Sequence, residues 1–223
     1  MPKTILPFAL YILLFAPFIF FTFLMFTKVV PYFSFEHAIN FLSTKTEETL
    51  SDNYFLVGFY IHISTSALVL IAGLPQFLPI AIKKFPQLHR WSGAVYIYII
   101  LAFASTSGLV LAVNANGGIP AKTGFFMQCI LWWFVTFMAY VKVKQKNYTE
   151  HIAWMIRSYA ITLAALSLRT EGYLMHYLLH TKPIETYITI TWLSWVGNWF
   201  IAEILIALGL NSYLFKKYTK ADL

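Results

Sequence analysis

Charged side chains are scarce in this sequence of 223 residues: Asp, Glu, Lys and Arg together make up 11% of it. A typical soluble domain has about a quarter of its residues charged, whereas 59% of the residues here are hydrophobic. Because so few charges cannot cover the surface of a water-soluble domain, the composition excludes an ordinary soluble protein. It indicates an integral membrane protein.

Several chemical motifs are absent as well. The single cysteine, Cys129, excludes an intramolecular disulfide and a thiolate metal cluster. The sequence has no Gly-x-Ser-x-Gly, no His-Glu-x-x-His and no glycine-rich phosphate loop. Glu171 and Glu203 fall at different predicted depths and make no carboxylate pair for acid–base chemistry. Hydrolytic chemistry is therefore poorly supported. The sequence leaves open whether the chain is an enzyme. The only metal that we expect is haem iron.

Long apolar stretches dominate what is present. Six of them reach the roughly 20 residues that a transmembrane helix requires, and the loops between them are short. The sequence therefore predicts an all-α fold, a polytopic bundle of six transmembrane helices that forms a single transmembrane helical domain over residues 1–223. The helices are expected at about 5–26, 53–82, 91–114, 123–143, 151–179 and 185–210.

The formal net charge of +7 follows from an uneven distribution of basic residues. In a six-helix topology most of them fall on one side of the membrane, and the positive-inside rule then predicts that both termini are cytoplasmic. The basic excess is thus a topology signal, with the lipid bilayer and not nucleic acid as the surrounding partner. The residues on that side are Lys3, Lys83, Lys84, Arg90, Lys142, Lys144, Lys146, Lys216, Lys217 and Lys220.

Polar side chains recur at helical spacing on the predicted fifth helix, and polar groups in a membrane helix face the bundle interior or a wet cavity. The second helix carries His62 and the third carries His89 on comparable polar faces. We therefore expect a shared polar cavity, although a packing seam between the helices explains the same pattern. The polar line on helix five consists of His151, Ser158, Thr162, Arg169, Tyr173, His176 and His180, and the expected ligand pocket is lined by Gln76, Tyr96, Ser158, Thr162 and Tyr173.

Helical depth also predicts partners. Arg157 on helix five and Glu203 on helix six lie at matching depths, so we expect a structural ion pair that offsets the cost of placing either charge in lipid. Arg169 and His62 also lie at similar depths. Because an arginine and a histidine do not satisfy each other, this second pair indicates a missing anion or hydrogen-bond acceptor.

Three segments carry a resemblance to a known family. LHRWSGAVYIY at 88–98, GF at 124–125 followed by LWWFVTFMAY, and HIAWMIRSYAITLAALSLR at 151–169 resemble the domain of unknown function 2306 family. The family implies a polytopic membrane protein, mostly bacterial, and supplies no established reaction. We therefore expect a multi-pass protein of the bacterial inner (cytoplasmic) membrane. One departure is Ala94, where the family pattern usually has arginine after Gly93.

Histidines on membrane helices favour a redox hypothesis. A b-type haem in a helical bundle is held by two facing imidazoles, an arrangement loosely similar to that of cytochrome b561-like bundles. His151 and His176 are 25 positions apart, or roughly 37 Å along a helix, so one haem fits better than two. The expected haem b residues are His62, His89, His151, His176 and Arg169, with His89 and His151 at one end of the bundle.

Two other functions stay open from the sequence. The chain could be a carrier or binding protein for a small anionic or lipidic molecule, whose polar head would meet Arg169, His62 and Tyr173. It could also be an accessory subunit of a membrane complex. For electron transfer, the expected partner is another membrane protein or a quinone.

Overall fold

The computed structural model describes residues 19–37 and 39–219. Within these residues the chain is all-α and contains no β-strand. The chain divides into two compact units, within residues 1–45 and within residues 46–223. Each unit is described by itself.

The first unit contains helix α1, Ile19–Ser34, whose last turn, Val30–Ser34, is a 3-10 helix. The helix ends at Phe35, which adopts the left-handed conformation with φ of 60°. The backbone N–H of Phe41 then donates to the Tyr32 hydroxyl at 3.0 Å, which holds the following turn against the helix end. Of the first predicted span, about 5–26, residues 5–18 lie outside the described residues.

The second unit is a helical bundle. Four of its helical stretches are long and apolar enough to cross a membrane, and a bent helix pair provides up to a fifth span. Its helices are α2 Glu47–Ser51, α3 Asn53–Gly73, α4 Pro79–Lys84, α5 Pro86–Ile99, α6 Ser105–Val113, α7 Gly118–Lys144, α8 Tyr148–Thr162, α9 Ala164–Leu179, α10 Pro183–Ala207 and α11 Leu210–Thr219.

Prolines set several helix boundaries. The second predicted span, 53–82, was too long: a 3-10 turn, Leu74–Phe77, follows α3, and Leu78 is extended with φ of −87° and ψ of 116°. Leu78 precedes Pro79, and the proline ring disfavours the helical conformation in the residue before it. Conversely, Pro86 opens α5 five residues before the predicted start at Trp91, because proline is well suited to the first turn of a helix.

Helices α5 and α6 are joined by a π-helical segment, Ile100–Ala104. Side chains from neighbouring helices bond to carbonyls in this segment. His62 Nδ1 donates to the Ala104 carbonyl at 2.9 Å, and Trp133 Nε1 donates to the Leu101 carbonyl at 3.2 Å. Irregular backbone is tolerated at membrane depth where such partners are available.

The predicted fifth helix, 151–179, is not one straight helix. It breaks at Leu163 into α8 and α9, which are bent by 42°. Neither proline nor glycine lies at the break, but the Asn198 side chain of α10 inserts there: its Nδ2 donates to the Ala160 carbonyl and its Oδ1 accepts from Ser167 Oγ, both at 3.0 Å. A side chain inserted into the backbone ladder is a recognised cause of a bend. The polar line predicted along this helix is therefore interrupted.

Candidate functional site

Two cavities in the second unit share lining residues that include Gln76, His89 and His151. We call this region the lysine-rich end, because α4 and α7 end beside it with Lys83, Lys84, Lys142 and Lys144. The larger cavity has a volume of about 530 Å³ and lies between α5, α7 and α8. Tyr98 and Tyr140, both exposed, belong to its outer wall. Its apolar lining includes Ile97, Leu101, Phe137, Val143 and Met155.

The smaller cavity, of about 260 Å³, lies beneath the C-terminal helix α11. Leu214, Phe215 and Tyr218 of α11 close it on one side. The residues common to both cavities are Gln76, His89, His151 and Met155. Both histidines therefore belong to the walls of both cavities.

His151 is held in one orientation at the start of α8. Asn147 caps this helix, because its side chain accepts from the Glu150 backbone N–H at 3.3 Å. One turn further on, His151 Nδ1 donates to the Ala139 carbonyl of α7 at 2.8 Å. A histidine whose Nδ1–H is bonded to a carbonyl presents Nε2 as a neutral acceptor or metal ligand.

His89 has a less complete environment. Its ring interacts electrostatically with His151 and is hydrogen-bonded to the Pro75 backbone carbonyl, and its Nδ1 is buried without a closer partner among the described residues. Because this atom has almost no accessible surface, an occupant of the adjacent cavity does not reach it.

Gln76 connects the 3-10 turn after α3 to α5. Its Nε2 donates to the His89 carbonyl at 3.1 Å and to Ser92 Oγ at 2.7 Å. Gly93 leaves room for this side chain, since a Cβ there would lie 2.7 Å from Gln76 Oε1. The His-Arg-Trp-x-Gly segment thus positions the amide beside the histidine pair.

The two cavities differ in charge. Arg90 and Lys144 line the larger cavity, whereas the described residues that line the smaller one include no Lys, Arg, Asp or Glu. The larger cavity therefore suits an apolar body with an anionic group, and the smaller one suits a neutral ligand.

Of the residues predicted to line a ligand pocket, Gln76 lines both cavities, but Tyr96, Ser158 and Thr162 line neither. They form a closed hydrogen-bonded network in the core: the Tyr96 hydroxyl lies 2.8 Å from both Ser158 Oγ and Thr162 Oγ1. Thr136 Oγ1 is 2.7 Å from Ser158 Oγ, and Trp132 Nε1 donates to Thr162 Oγ1 at 3.0 Å. Because these groups satisfy one another, this part of the polar line is a packing seam.

The remaining outer residues also lie outside both cavities. Tyr173 is 59% exposed and stacks on Tyr177. His176 is likewise exposed and contacts the Tyr177 ring edge-on. These side chains belong to α9, beyond the break at Leu163, which turns them away from the line followed by α8.

His62 and Arg169 interact electrostatically, as their predicted depths indicate. The His62 ring is enclosed between α3 and α6, where Gly108 allows a close approach: a Cβ at that position would lie 3.2 Å from the imidazole. Arg169 is exposed, and its Nη1 donates to the Ala165 carbonyl at 2.6 Å. Neither His62 nor Arg169 lines the cavities that His89 and His151 share at the lysine-rich end.

The structure does bring Arg157 and Glu203 together. Arg157 Nε and Nη2 donate to the two carboxylate oxygens of Glu203 at 2.6 and 2.8 Å. The guanidinium also lies 4.6 Å from the centre of the Trp154 ring. This bidentate pair joins α8 to α10 and lines neither cavity.

Asn198 and Met155 are the residues that sequence reasoning missed. A signal for Asn198 exists in WLSWVGNWF, where an amide lies within an otherwise apolar span, since such a group must find a partner in the bundle. Met155, which lines both cavities, is one of many apolar residues in its helix, and no sequence signal distinguishes it.

Within the described residues, no three or more His, Cys, Asp or Glu side chains group to hold a metal ion. A haem iron needs only two axial side chains, and His89 and His151 are the pair that the fold brings together.

A family model with the description "Predicted membrane protein (DUF2306)" matches residues 59–206. The match contains all three resembling segments and both histidines. No curated protein and no solved structure matched the chain.

Proposed function

Because the chain belongs to the DUF2306 family of predicted membrane proteins, we propose that it acts within the bilayer, binding a b-type haem through His89 and His151 in membrane electron transfer. The observation that carries this proposal is the position of the two histidines, which share the walls of both cavities. When bound, the haem supplies a centre that changes oxidation state by one electron.

The chemistry of the histidine pair fits this group. Metal-ligating histidines commonly donate their other ring N–H to a backbone carbonyl, which fixes the tautomer and raises the basicity of the ligand. His151 makes this bond to the Ala139 carbonyl. His89 comes from a different helix, and the Pro75 backbone carbonyl is the corresponding hydrogen-bond acceptor for its ring.

The larger cavity fits the rest of the haem. Its volume of about 530 Å³ lies within the range of roughly 300–1,000 Å³ that is usual for ligand sites. Apolar side chains would pack against the macrocycle, and Arg90 and Lys144 would bind the propionate carboxylates. The role of the protein's own residues is to hold, orient and shield the group.

The topology proposed with this function has six transmembrane helices and both termini in the cytoplasm of a bacterial inner membrane. The uneven distribution of lysine and arginine supports it. The histidine pair would then lie near the cytoplasmic face, and the electron partner would be a quinone or another membrane protein.

The proposal is tested by absorbance spectra of detergent-purified protein expressed with ample haem, first oxidised and then reduced with dithionite. We expect a Soret band and sharp α and β bands on reduction. His89→Ala and His151→Ala should lose these bands, whereas His176→Ala, a control at an exposed histidine, should keep them. A featureless spectrum from folded wild-type protein would refute the proposal.

A second candidate is a binding protein for a small anionic amphiphile. The observation that favours it is the combination of Arg90 and Lys144 with an apolar wall in the larger cavity. Native mass spectrometry of the purified protein should then detect a bound anionic lipid. The double variant Arg90→Gln/Lys144→Gln should lose it, and retention of the lipid by that variant would exclude this cavity as its site.

A further inference from the structure

Exposed lysines and exposed large apolar side chains occur together at the lysine-rich end. Lys83 and Lys84 end α4, and Lys216 and Lys217 lie in the last turn of α11; all four are exposed. We call these four residues the lysine patch. None of them lines either cavity, so the patch faces the surroundings of the bundle.

The two lysine pairs adjoin because α4 and α11 pack against each other. The Tyr218 hydroxyl of α11 donates to the Phe77 carbonyl, just before α4, at 3.4 Å. Ile82 of α4 and Phe215 of α11 line the same smaller cavity. Each helix thus turns apolar side chains towards the bundle, which leaves the lysines of both helices on its outer side.

Little negative charge balances the patch. Of the carboxylates in the part of the chain that the structure describes, Glu150 is the one exposed at this end, and Glu203 is paired with Arg157. Lys144 and Lys146 add further exposed positive charge nearby. The local potential therefore favours an anionic partner.

The helical span that follows α4 is longer than the hydrocarbon core of a membrane. The span Pro86–Val113 has 28 residues, or about 42 Å at about 1.5 Å per residue, against a core of about 30 Å. Its ends therefore extend into the headgroup layers. Lys83 and Lys84 immediately precede this span and so lie at the level of the lipid phosphates.

Apolar side chains border the patch on the hydrocarbon side. Phe85, Leu88 and Trp91 are exposed, Trp91 to 74%. Leu88 and Trp91 continue with Val95 and Tyr98 at spacings of three and four residues, and all four are exposed, so they form one face of α5 that meets lipid. Tryptophan is enriched at the membrane interface because its ring is amphipathic.

This combination distinguishes a lipid from a soluble partner. An acidic protein would neutralise the lysines but would not reach side chains at hydrocarbon depth. A phospholipid meets both groups at once: its phosphate accepts hydrogen bonds from the lysine amines, and its acyl chains pack against the apolar side chains. A net negative headgroup is favoured, since clusters of basic residues beside a membrane helix bind anionic lipids.

We propose that the lysine patch binds the headgroups of anionic phospholipids, whose acyl chains pack against Phe85, Leu88 and Trp91. The site is separate from the larger cavity and depends neither on haem nor on any other ligand of the cavities. A bound lipid would hold the turn between α4 and α5 at the membrane surface, just before His89.

The test is native mass spectrometry of the full chain from micelles that contain equal amounts of phosphatidylglycerol and phosphatidylcholine with the same acyl chains. The headgroup is then the only difference between the two lipids. One lysine beside an anionic surface contributes a factor of about five. We expect the wild type to retain phosphatidylglycerol over phosphatidylcholine by at least about fivefold, and equal retention would overturn the proposal.

Lysine variants locate the site. Lys83→Gln/Lys84→Gln and Lys216→Gln/Lys217→Gln should each lower the preference for phosphatidylglycerol by half or more. Two patch variants are used so that failure of one to fold leaves the test intact. The matched control, which removes two exposed lysines at the opposite end of the bundle, should keep the wild-type preference; it is Lys122→Gln/Lys182→Gln. An unchanged preference in both patch variants, or an equal loss in the control, would overturn the proposal.

A further variant separates the patch from the larger cavity. Arg90→Gln/Lys144→Gln should still prefer phosphatidylglycerol, because the patch is intact. Loss of the preference in this variant, with both patch variants unchanged, would assign the lipid to the larger cavity and overturn the proposal. Binding of poly-L-glutamate without any lipid preference would overturn it in favour of an acidic protein partner.

Discussion

Removing one member of the Arg157–Glu203 pair should destabilise the bundle more than removing both. The pair is bidentate, and the side chains are 16% and 36% exposed. Breaking a buried pair by removing one partner costs about 3–5 kcal/mol, and a lone charge at the bilayer centre costs at least about 2.5 kcal/mol on insertion scales. Since Glu203 is partly exposed and lies near the end of α10, we expect about 2 kcal/mol for Glu203→Gln.

The double variant Arg157→Leu/Glu203→Leu leaves no unpaired charge. Replacement of a buried ion pair by apolar side chains is often neutral or stabilising. The loss of the contact between Arg157 and the Trp154 ring works in the opposite direction by roughly 0.5–1 kcal/mol. We therefore expect the double variant to lie within about 1 kcal/mol of the wild type.

The measurement is reversible unfolding in mixed micelles, with ellipticity followed against the mole fraction of dodecyl sulfate. It compares the wild type, Glu203→Gln, the single variants Arg157→Leu and Glu203→Leu, and the double variant. Glu150→Gln, at an exposed carboxylate on the first turn of α8, is the matched control and should change the free energy of unfolding by less than about 0.5 kcal/mol. Additive effects of the two single leucine variants would refute the argument, because additivity means that the pair is energetically uncoupled.

Two further predictions concern close contacts between helices. Asn198→Leu removes both hydrogen bonds at the α8–α9 break, to Ala160 and Ser167. Since an interhelical hydrogen bond contributes about 0.6 and at most about 1.7 kcal/mol, we expect the free energy of unfolding in the same assay to fall by about 1–3 kcal/mol. An unchanged free energy of unfolding would show that backbone geometry alone maintains the break. Gly73→Ala would place a Cβ against the Tyr159 ring, so we expect a lower melting temperature and about 1–3 kcal/mol of destabilisation, whereas an unchanged melting temperature would mean that the ring moves without cost.

The general class of this protein follows from the sequence because hydrophobic length and charge placement act locally. A span of about 20 apolar residues has few alternatives to a membrane helix, which is why the four long helices and the bent pair overlap predicted segments two to six. Matching depths likewise located Arg157 opposite Glu203. In both cases the deciding quantity, distance along a helix, can be counted along the chain.

The helix boundaries depended on backbone details that hydropathy does not contain. Pro79 ends the second span early because it constrains Leu78. The break at Leu163 has no such local cause, since it depends on an amide that arrives from α10, 35 positions later in the sequence. A periodicity argument assumes one straight helix and therefore could not anticipate where the polar line ends.

The candidate site, like the helix boundaries, could be predicted only in part from the sequence. The amino-acid pattern alone predicts that histidines and hydroxyl groups in these helices avoid lipid, because lipid offers no hydrogen bonds. Which of these groups hydrogen-bond to one another, as Tyr96, Ser158 and Thr162 do, depends on the packing of the helices. The same packing leaves His89 and His151 beside cavities. Hydrogen bonds reach about 3 Å, so the choice between a sealed seam and an open site depends on how closely the helices pack.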